Sequence, residues 1–252
     1  MKVLIATPLY QDMAHARMAQ GVAQFMRMCD SKGIGAQWMT VSSTYIQVGR
    51  DTLAHRFMHH GDWTHMFFID SDIFFDPNVA MKLLEYHEKD VVCGLYPSKE
   101  IYWEGVQKIA EKCSPKRLEH CSAKNMVFRI PEEKGKEITD PLEPIEVTGA
   151  ATGFMLIRRE TMKKYADENP HENYDWGNEG NIVRFFKVGY LDDDPDKLYY
   201  GEDMYFCAMV RRLGLKIWVV PALNVKHIGQ HIFEGCFWCC TGVQIHKCEG
   251  DK

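Results

Sequence analysis

The stretch Met66-Phe67-Phe68-Ile69-Asp70-Ser71-Asp72-Ile73-Phe74 constrains this chain more than any other. A short apolar, aromatic run of this kind reads as a strand buried on both faces of a parallel sheet. Two carboxylates do not sit inside such a strand, because an unpaired buried charge costs several kcal/mol. They belong at its carboxyl end, where an open α/β sheet meets its ligands. Asp70 and Asp72, on either side of the small Ser71, can hold a hard divalent cation there and leave room for phosphate oxygens. The same pattern also serves as a turn or a helix cap, so the rest of the chain has to decide between the two.

The first hundred residues alternate strand and helix. Lys2 to Ala6 is a strand ended by Thr7-Pro8, and Met13 to Cys29 carries Met18, Val22, Phe25, Met26 and Cys29 at helical spacing. Gln37 to Ser42 is a second strand. Gly49-Arg50-Asp51 opens a helix with Leu53, Ala54, Phe57 and Met58 inward, and His65 to Ile69 is the third strand. Asp76-Pro77-Asn78 starts a third helix with Pro77 in its first turn, and Asp90 to Cys93 is a fourth strand. Strand–helix units in succession predict a doubly wound, mostly parallel α/β sheet with helices on both faces. Its first and third strands should be neighbours at a nucleotide-sized crevice. No Gly-x-Gly-x-x-Gly or phosphate loop follows the first strand, which argues against a dinucleotide dehydrogenase or a P-loop enzyme.

In the second half, strands at Ile145 to Thr148 and Phe154 to Ile157 flank Gly149-Ala150-Ala151-Thr152-Gly153, a small-residue run that lets backbone approach a ligand or another strand. Glu160 to Tyr165 is a short helix. Asp167 to Asp196 is polar and aromatic and suits a loop that closes over a site. Glu202 to Leu213 is a helix, and Lys216 to Val220 is a late strand before Val225-Lys226-His227-Ile228-Gly229. With 252 residues, 46% of them hydrophobic, the chain suits one domain with a substantial core. Its expected parts are a nucleotide-binding half (1–95), an insertion (112–140), a catalytic half (145–235) and a cysteine-rich tail (236–252). A net charge of −5 argues against non-specific nucleic-acid binding as the main activity. The nine scattered cysteines fit a reducing cytoplasm, a host's if the source is viral, better than a disulfide framework. The opening apolar run is too short for a secretory signal, and no stretch reaches transmembrane length.

Four clusters can carry chemistry: Asp70 with Asp72, Glu202-Asp203 at a helix start, His227 after the last sheet strand, and Arg50-Asp51. Each has an ordinary alternative. Asp203 suits a helix N-cap, His227 suits packing, and Arg50-Asp51 suits a charged surface. Taken in order, Thr7-Pro8-Leu9-Tyr10, Gly49-Arg50-Asp51, Phe68 to Asp72, Thr148 to Ile157, Gly201 to Cys207 and His227-Ile228-Gly229 resemble the nucleotide-sugar-dependent glycosyltransferases of the GT-A fold, nearest to family-2-like members of bacteria and their viruses. The likeness spans roughly Lys2 to Gly235.

The resemblance implies a Rossmann-like GT-A sheet and an inverting, metal-dependent transferase. Asp72 would be the direct ligand of Mn²⁺ or Mg²⁺, with Asp70 reaching the ribose or the metal's waters and His227 completing the shell. An imidazole ligand favours Mn²⁺. Thr7, Pro8 and Tyr10 would seat the nucleotide base, Arg50 and Ser71 would lie against the nucleotide, and Gly149 to Gly153 would line the donor-sugar or acceptor side. Asp203 would be the base that takes the acceptor proton, with Glu202 binding acceptor or bracing the loop. Tyr174 and Trp176 are candidate sugar platforms. The implied partners are a nucleoside-diphosphate sugar and an acceptor glycan, lipid-linked sugar, protein or modified nucleobase. A nucleotidyltransferase or a non-catalytic sugar- or nucleotide-binding module on the same fold are the alternatives. Outside the resemblance, Cys236, Cys239, Cys240, His246 and Cys248, with Cys113, His120 and Cys121, have spacing compatible with zinc. Asp192-Asp193-Asp194 with Asp196 is an acidic run that could attract a cation.

Overall fold

The computed structural model describes residues 1–110, 126, 128–129, 140–191, 195, 197–229 and 232–233. A seven-stranded sheet runs, in spatial order, β2 (Gly35–Ser42), β1 (Lys2–Leu9), β3 (His65–Ile69), β9 (Phe154–Arg158), β5 (Val91–Leu95), β12 (Ile217–Asn224) and β7 (Ile145–Val147). Strands β2, β1, β3, β5 and β12 share one direction, while β9 and β7 oppose it. The sheet is therefore mostly parallel and Rossmann-like, consistent with the GT-A architecture expected above, and β1 and β3 are neighbours. Three smaller pairings complete the described strands: β4 (Ile73–Phe74) with β13 (Lys226–Ile228) and β14 (Ile232–Phe233), β6 (Phe128–Arg129) with β8 (Gly149–Ala150), and the hairpin of β10 (Asn173–Asp175) and β11 (Asn181–Val183).

The helices are α1 (Ala16–Ser31), α2 (Ile46–His59), α3 (Pro77–Leu83), α4 (Trp103–Ala110), α5 (Arg159–Glu168) and α6 (Glu202–Arg212). They divide between the two sheet faces as the alternation of β3 dictates. Phe67 and Ile69 pack with Val22 and Phe25 of α1 and Ala80 and Leu83 of α3. Met66 and Phe68 pack with Leu53 and Phe57 of α2, Tyr165 of α5 and Phe206 of α6. All five residues of β3 are buried, as expected of a strand covered on both faces. Each such large side chain contributes about 1.5–3 kcal/mol of burial.

Two differences from the sequence reading have local causes. β1 runs through Thr7-Pro8 to Leu9 instead of stopping at Ala6. The Lys2 carbonyl faces β3 and the Leu9 carbonyl faces β2, so Pro8 directs its missing N–H toward the β3 side. Pairing with β3 ends at Ala6, so no ladder bond is lost there. The region Asp167 to Asp196 is also not an open loop along most of its length. The β10–β11 hairpin lies within it, and Asp51 of α2 fastens the residues that follow: its Oδ1 accepts from the N–H groups of Phe185 and Phe186 at 2.9 and 2.8 Å, and its Oδ2 from the Tyr174 hydroxyl at 3.1 Å.

Candidate active site

The carboxyl ends of β1, β3, β5 and β12 share one edge with the amino end of the reversed β9. Asp70-Ser71-Asp72 is the tight turn leaving β3. The Asp70 carbonyl accepts from the Ile73 N–H at 3.1 Å, the Ser71 carbonyl from His15 at 3.0 Å, and the Asp72 carbonyl from Ile228 at 2.7 Å. Asp and Ser suit such a turn, and its backbone is fixed from three directions.

The two carboxylates have different partners. Asp70 is gripped by a bidentate Arg50 fork, Nη1 to Oδ1 at 2.8 Å and Nη2 to Oδ2 at 2.9 Å. Arg50 is buried, lies over the Phe68 ring, and turns its Nε toward Glu202 Oε1 at 3.6 Å. Burial alone would disfavour its charge, but Asp70 and Glu202 outweigh that and push its pKa upward. Both terminal nitrogens bond Asp70, and the guanidinium joins the turn after β3 to the start of α6. Asp51 beside it points elsewhere, because successive helical residues are about 100° apart.

Asp72 instead meets His227 and Lys99. His227 Nε2 lies 3.5 Å from Asp72 Oδ2, and Lys99 Nζ bonds the same oxygen. Burial raises the Asp72 pKa, but the bonds from His227 and Lys99 outweigh it and bring it down to about 2. His227 reaches this position because β13 pairs with β4, setting His227 opposite Ile73. Its Nδ1 lies 3.0 Å from the Pro97 carbonyl. A carbonyl only accepts, so Nδ1 carries a hydrogen there, and Nε2 is the nitrogen that faces Asp72. Outer-sphere bonds of this kind prepare a metal-ligating histidine. Among the described residues no three His, Cys, Asp or Glu side chains converge as a metal site. Of the expected set, Asp72 and His227 face each other, while Asp70 is paired with Arg50.

One short segment after β5, unremarked in the sequence, touches each part of this site. Tyr96 Oη accepts the Gly153 N–H at 2.9 Å, the Pro97 carbonyl holds His227, and Lys99 holds Asp72. Its position at the carboxyl end of a parallel strand is the only sequence signal it offers. Gly153 in turn gives its carbonyl to the Asp70 N–H at 3.0 Å. A Cβ on Gly153 would fall 2.5 Å from Tyr96 Oη and 2.9 Å from Asp70 Oδ2, so this end of the small-residue run permits a close backbone approach.

Asp203 stands in the first turn of α6, where the helix N-terminus favours a carboxylate. Its Oδ1 accepts from the Met204 N–H at 2.7 Å. Burial and the neighbouring Glu202 raise its pKa, with smaller opposing effects from Met204 and Arg50. The described contacts give it no cationic partner at ion-pair distance, in contrast to Asp70 and Asp72. Three polar atoms around this edge, Arg50 Nε, Ser98 Oγ and Thr152 Oγ1, are buried without a hydrogen-bond partner among the described residues. Such atoms are costly unless a ligand or water meets them.

The remaining expected residues are placed as follows. Thr7 is fully buried, donates to the Ile69 carbonyl at 2.8 Å and accepts from the Trp38 indole at 2.9 Å, so its hydroxyl braces β1 against β3. Pro8 is buried beside it, while Tyr10 is exposed at the edge. Tyr174 is tied to Asp51, and Trp176 is exposed at the hairpin. The candidate zinc residues Cys113, His120, Cys121, Cys236, Cys239, Cys240, His246 and Cys248, and the acidic residues Asp192, Asp193, Asp194 and Asp196, lie outside the described residues. Among the described residues no helix is long and apolar enough to cross a membrane.

No protein-family model and no curated protein matches the chain. Among solved structures it is similar to A197 from STIV, with a TM-score of 0.49 and 16% identity, covering 99% of this chain and 100% of that one. It is also similar to S. aureus TarS 1-349, with a TM-score of 0.38 and 10% identity over 93% of this chain and 60% of that one. The inositol-1-phosphate CTP transferase from T. maritima gives 0.40 and 10% over 88% and 85%. Likenesses of this strength do not decide a function, and the residues of the edge have to.

Proposed function

We propose that this chain is a divalent-cation-dependent glycosyltransferase, moving a sugar from a nucleoside-diphosphate sugar to an acceptor hydroxyl with inversion. The observation that carries the reading is a division of labour between two carboxylates on one edge. Asp72 is held ionised, its pKa drawn down to about 2, while that of Asp203 is pushed up. Environments that separate two acids in this way mark an ion holder and a proton acceptor.

Charge supports the cation. Among the described residues, Asp70, Asp72 and Glu202 pair with no lysine or arginine but Arg50 and Lys99, and Asp203 pairs with neither, a formal excess of two negative charges where a diphosphate would have to bind. Asp72 and His227 would hold a divalent cation, which when bound would cancel that excess and supply Lewis-acid stabilisation to the departing diphosphate. Arg50 holds Asp70 and Glu202 in place. Gly153 lets Tyr96 and Asp70 come close to its backbone and so sets the position of Asp70. Asp203 accepts the proton of the acceptor hydroxyl while that oxygen bonds to the anomeric carbon. The bond from that carbon to the phosphate oxygen breaks, and its electron pair leaves with the diphosphate.

The test is a panel of UDP-, GDP-, CDP- and dTDP-sugars with Mn²⁺, read by thermal shift and by the released product. Release of nucleoside diphosphate supports sugar transfer. Release of sugar 1-phosphate, with nucleoside monophosphate joined to an acceptor, means nucleotidyl transfer instead. Asp203→Asn should lower turnover about 10²–10⁴-fold with the Mn²⁺-dependent thermal shift retained. Asp72→Ala should remove the Mn²⁺ dependence of nucleotide binding. Normal turnover by Asp203→Asn eliminates the base assignment.

A further inference from the structure

Lys99 is the one ammonium among the described contacts of Asp72, and it sits on Oδ2, the oxygen that also lies 3.5 Å from His227 Nε2. A divalent ion held by Asp72 and His227 would compete with Lys99 for that oxygen, the one nearest the imidazole. An ammonium and a metal ion in direct contact with one carboxylate oxygen repel each other strongly, because the carboxylate neutralises only one charge. Lys99 is also able to leave. Its side chain is 39% exposed, on a flexible four-carbon stem, unlike the buried and doubly bonded Arg50. The anchor stays behind when it moves, because neighbouring Pro97 holds His227 through its carbonyl and Tyr96 holds Gly153.

We infer that Lys99 is a tethered cation that exchanges with the divalent ion on Asp72 and, once displaced, pairs with the donor's diphosphate. Lys99 therefore weakens binding of the metal alone and strengthens binding of the metal together with a nucleoside diphosphate. Nucleotide and metal then bind cooperatively: the diphosphate offers Lys99 a new partner just as the metal takes its old one. The inference rests on the transferase reading of this site, and it concerns the order and coupling of binding rather than the chemical step.

The experiment compares wild type with Lys99→Met, which keeps the length and apolar stem but removes the charge, and with Lys99→Arg. Binding of Mn²⁺ alone is followed by the electron paramagnetic resonance of the free ion. Binding of UDP, GDP, CDP and dTDP, run in parallel, is followed by calorimetry at saturating Mn²⁺. Far-ultraviolet circular dichroism confirms folding of each variant. Lys99→Met should bind Mn²⁺ alone about tenfold more tightly and the preferred diphosphate about tenfold more weakly, each the size of one charge-assisted hydrogen bond. Lys99→Arg should restore the diphosphate affinity. A general structural defect would weaken both and would not produce opposite changes. Mn²⁺ affinity that is unchanged or weaker in Lys99→Met overturns the exchange, even if wild type binds both ligands. Absence of any Mn²⁺-dependent diphosphate binding in wild type overturns the transferase reading itself, and the exchange with it.

Discussion

Asp51 offers the sharpest test of the energetics. It is 1% exposed, and burial raises its pKa from 3.8 to about 7 against the opposing bonds from Phe186, Tyr174 and Phe185 and the charge of Arg184. Because the folded value lies above the unfolded one, the folded state retains a proton between those values that the unfolded chain has released. The stability this group contributes is present in full below the unfolded value and is lost as pH rises through about 7. A shift of about three units corresponds to at most ~4 kcal/mol across that window. Asp51→Asn removes the charge and retains the bonding. The amide oxygen still accepts from Phe185 and Phe186, and the amide nitrogen donates to Tyr174 Oη, whose bond simply reverses. The variant's advantage over wild type should grow by about 1–3 kcal/mol between pH 5 and pH 8, because most of the window between the unfolded and folded values lies there. Asp51→Ala leaves the Phe185 and Phe186 N–H groups unpaired and should lose about 2–5 kcal/mol at either pH. Denaturant unfolding at both pH values, followed by tryptophan fluorescence, measures these differences. A gap between wild type and Asp51→Asn that does not change with pH, or that opens in the other direction, refutes the argument.

Two further outcomes concern the close approach at Gly153. Gly153→Ala sets a methyl group against Tyr96 and Asp70. It should reduce turnover more than ten-fold, roughly what displacing one positioning contact costs, with the melting temperature recording any loss of fold. Tyr96→Phe leaves the Gly153 N–H without its acceptor and should destabilise by about 1–3 kcal/mol, read by the same unfolding assay.

Much of the framework was legible because it depends on local pattern. The apolar run of β3 and the carboxylates after it placed the site at a sheet edge, and the succession of strand and helix placed β1 beside β3. Asp203 at a helix start and His227 after β12 also follow from local order. What could not be read depends on strand order and direction. Periodicity marks Phe154 to Arg158 as a strand but does not say that it runs backwards between β3 and β5. Nothing in Tyr96-Pro97-Ser98-Lys99 announces that three of its four residues meet Gly153, His227 and Asp72, because those partners lie far away in the chain. Adjacent Arg50 and Asp51 read as one cluster, yet the helical turn sends one to Asp70 and the other to the backbone of Phe185 and Phe186.

The reversed strand β9 also governs how this protein can be assembled. β3 and β5 belong to the first hundred residues, yet neither bonds to the other: each pairs with β9, which comes some sixty residues later. A nascent or truncated chain ending near residue 95 would leave two hydrophobic strand edges open, with the peptide groups of β3 and β5 unpaired along the sides that β9 later fills. Edges of that kind recruit other chains. The first ninety-five residues are thus not a unit of folding. Their expression alone should give aggregated material, and the gap in their sheet should close only after Phe154 to Arg158 has been synthesised and inserted.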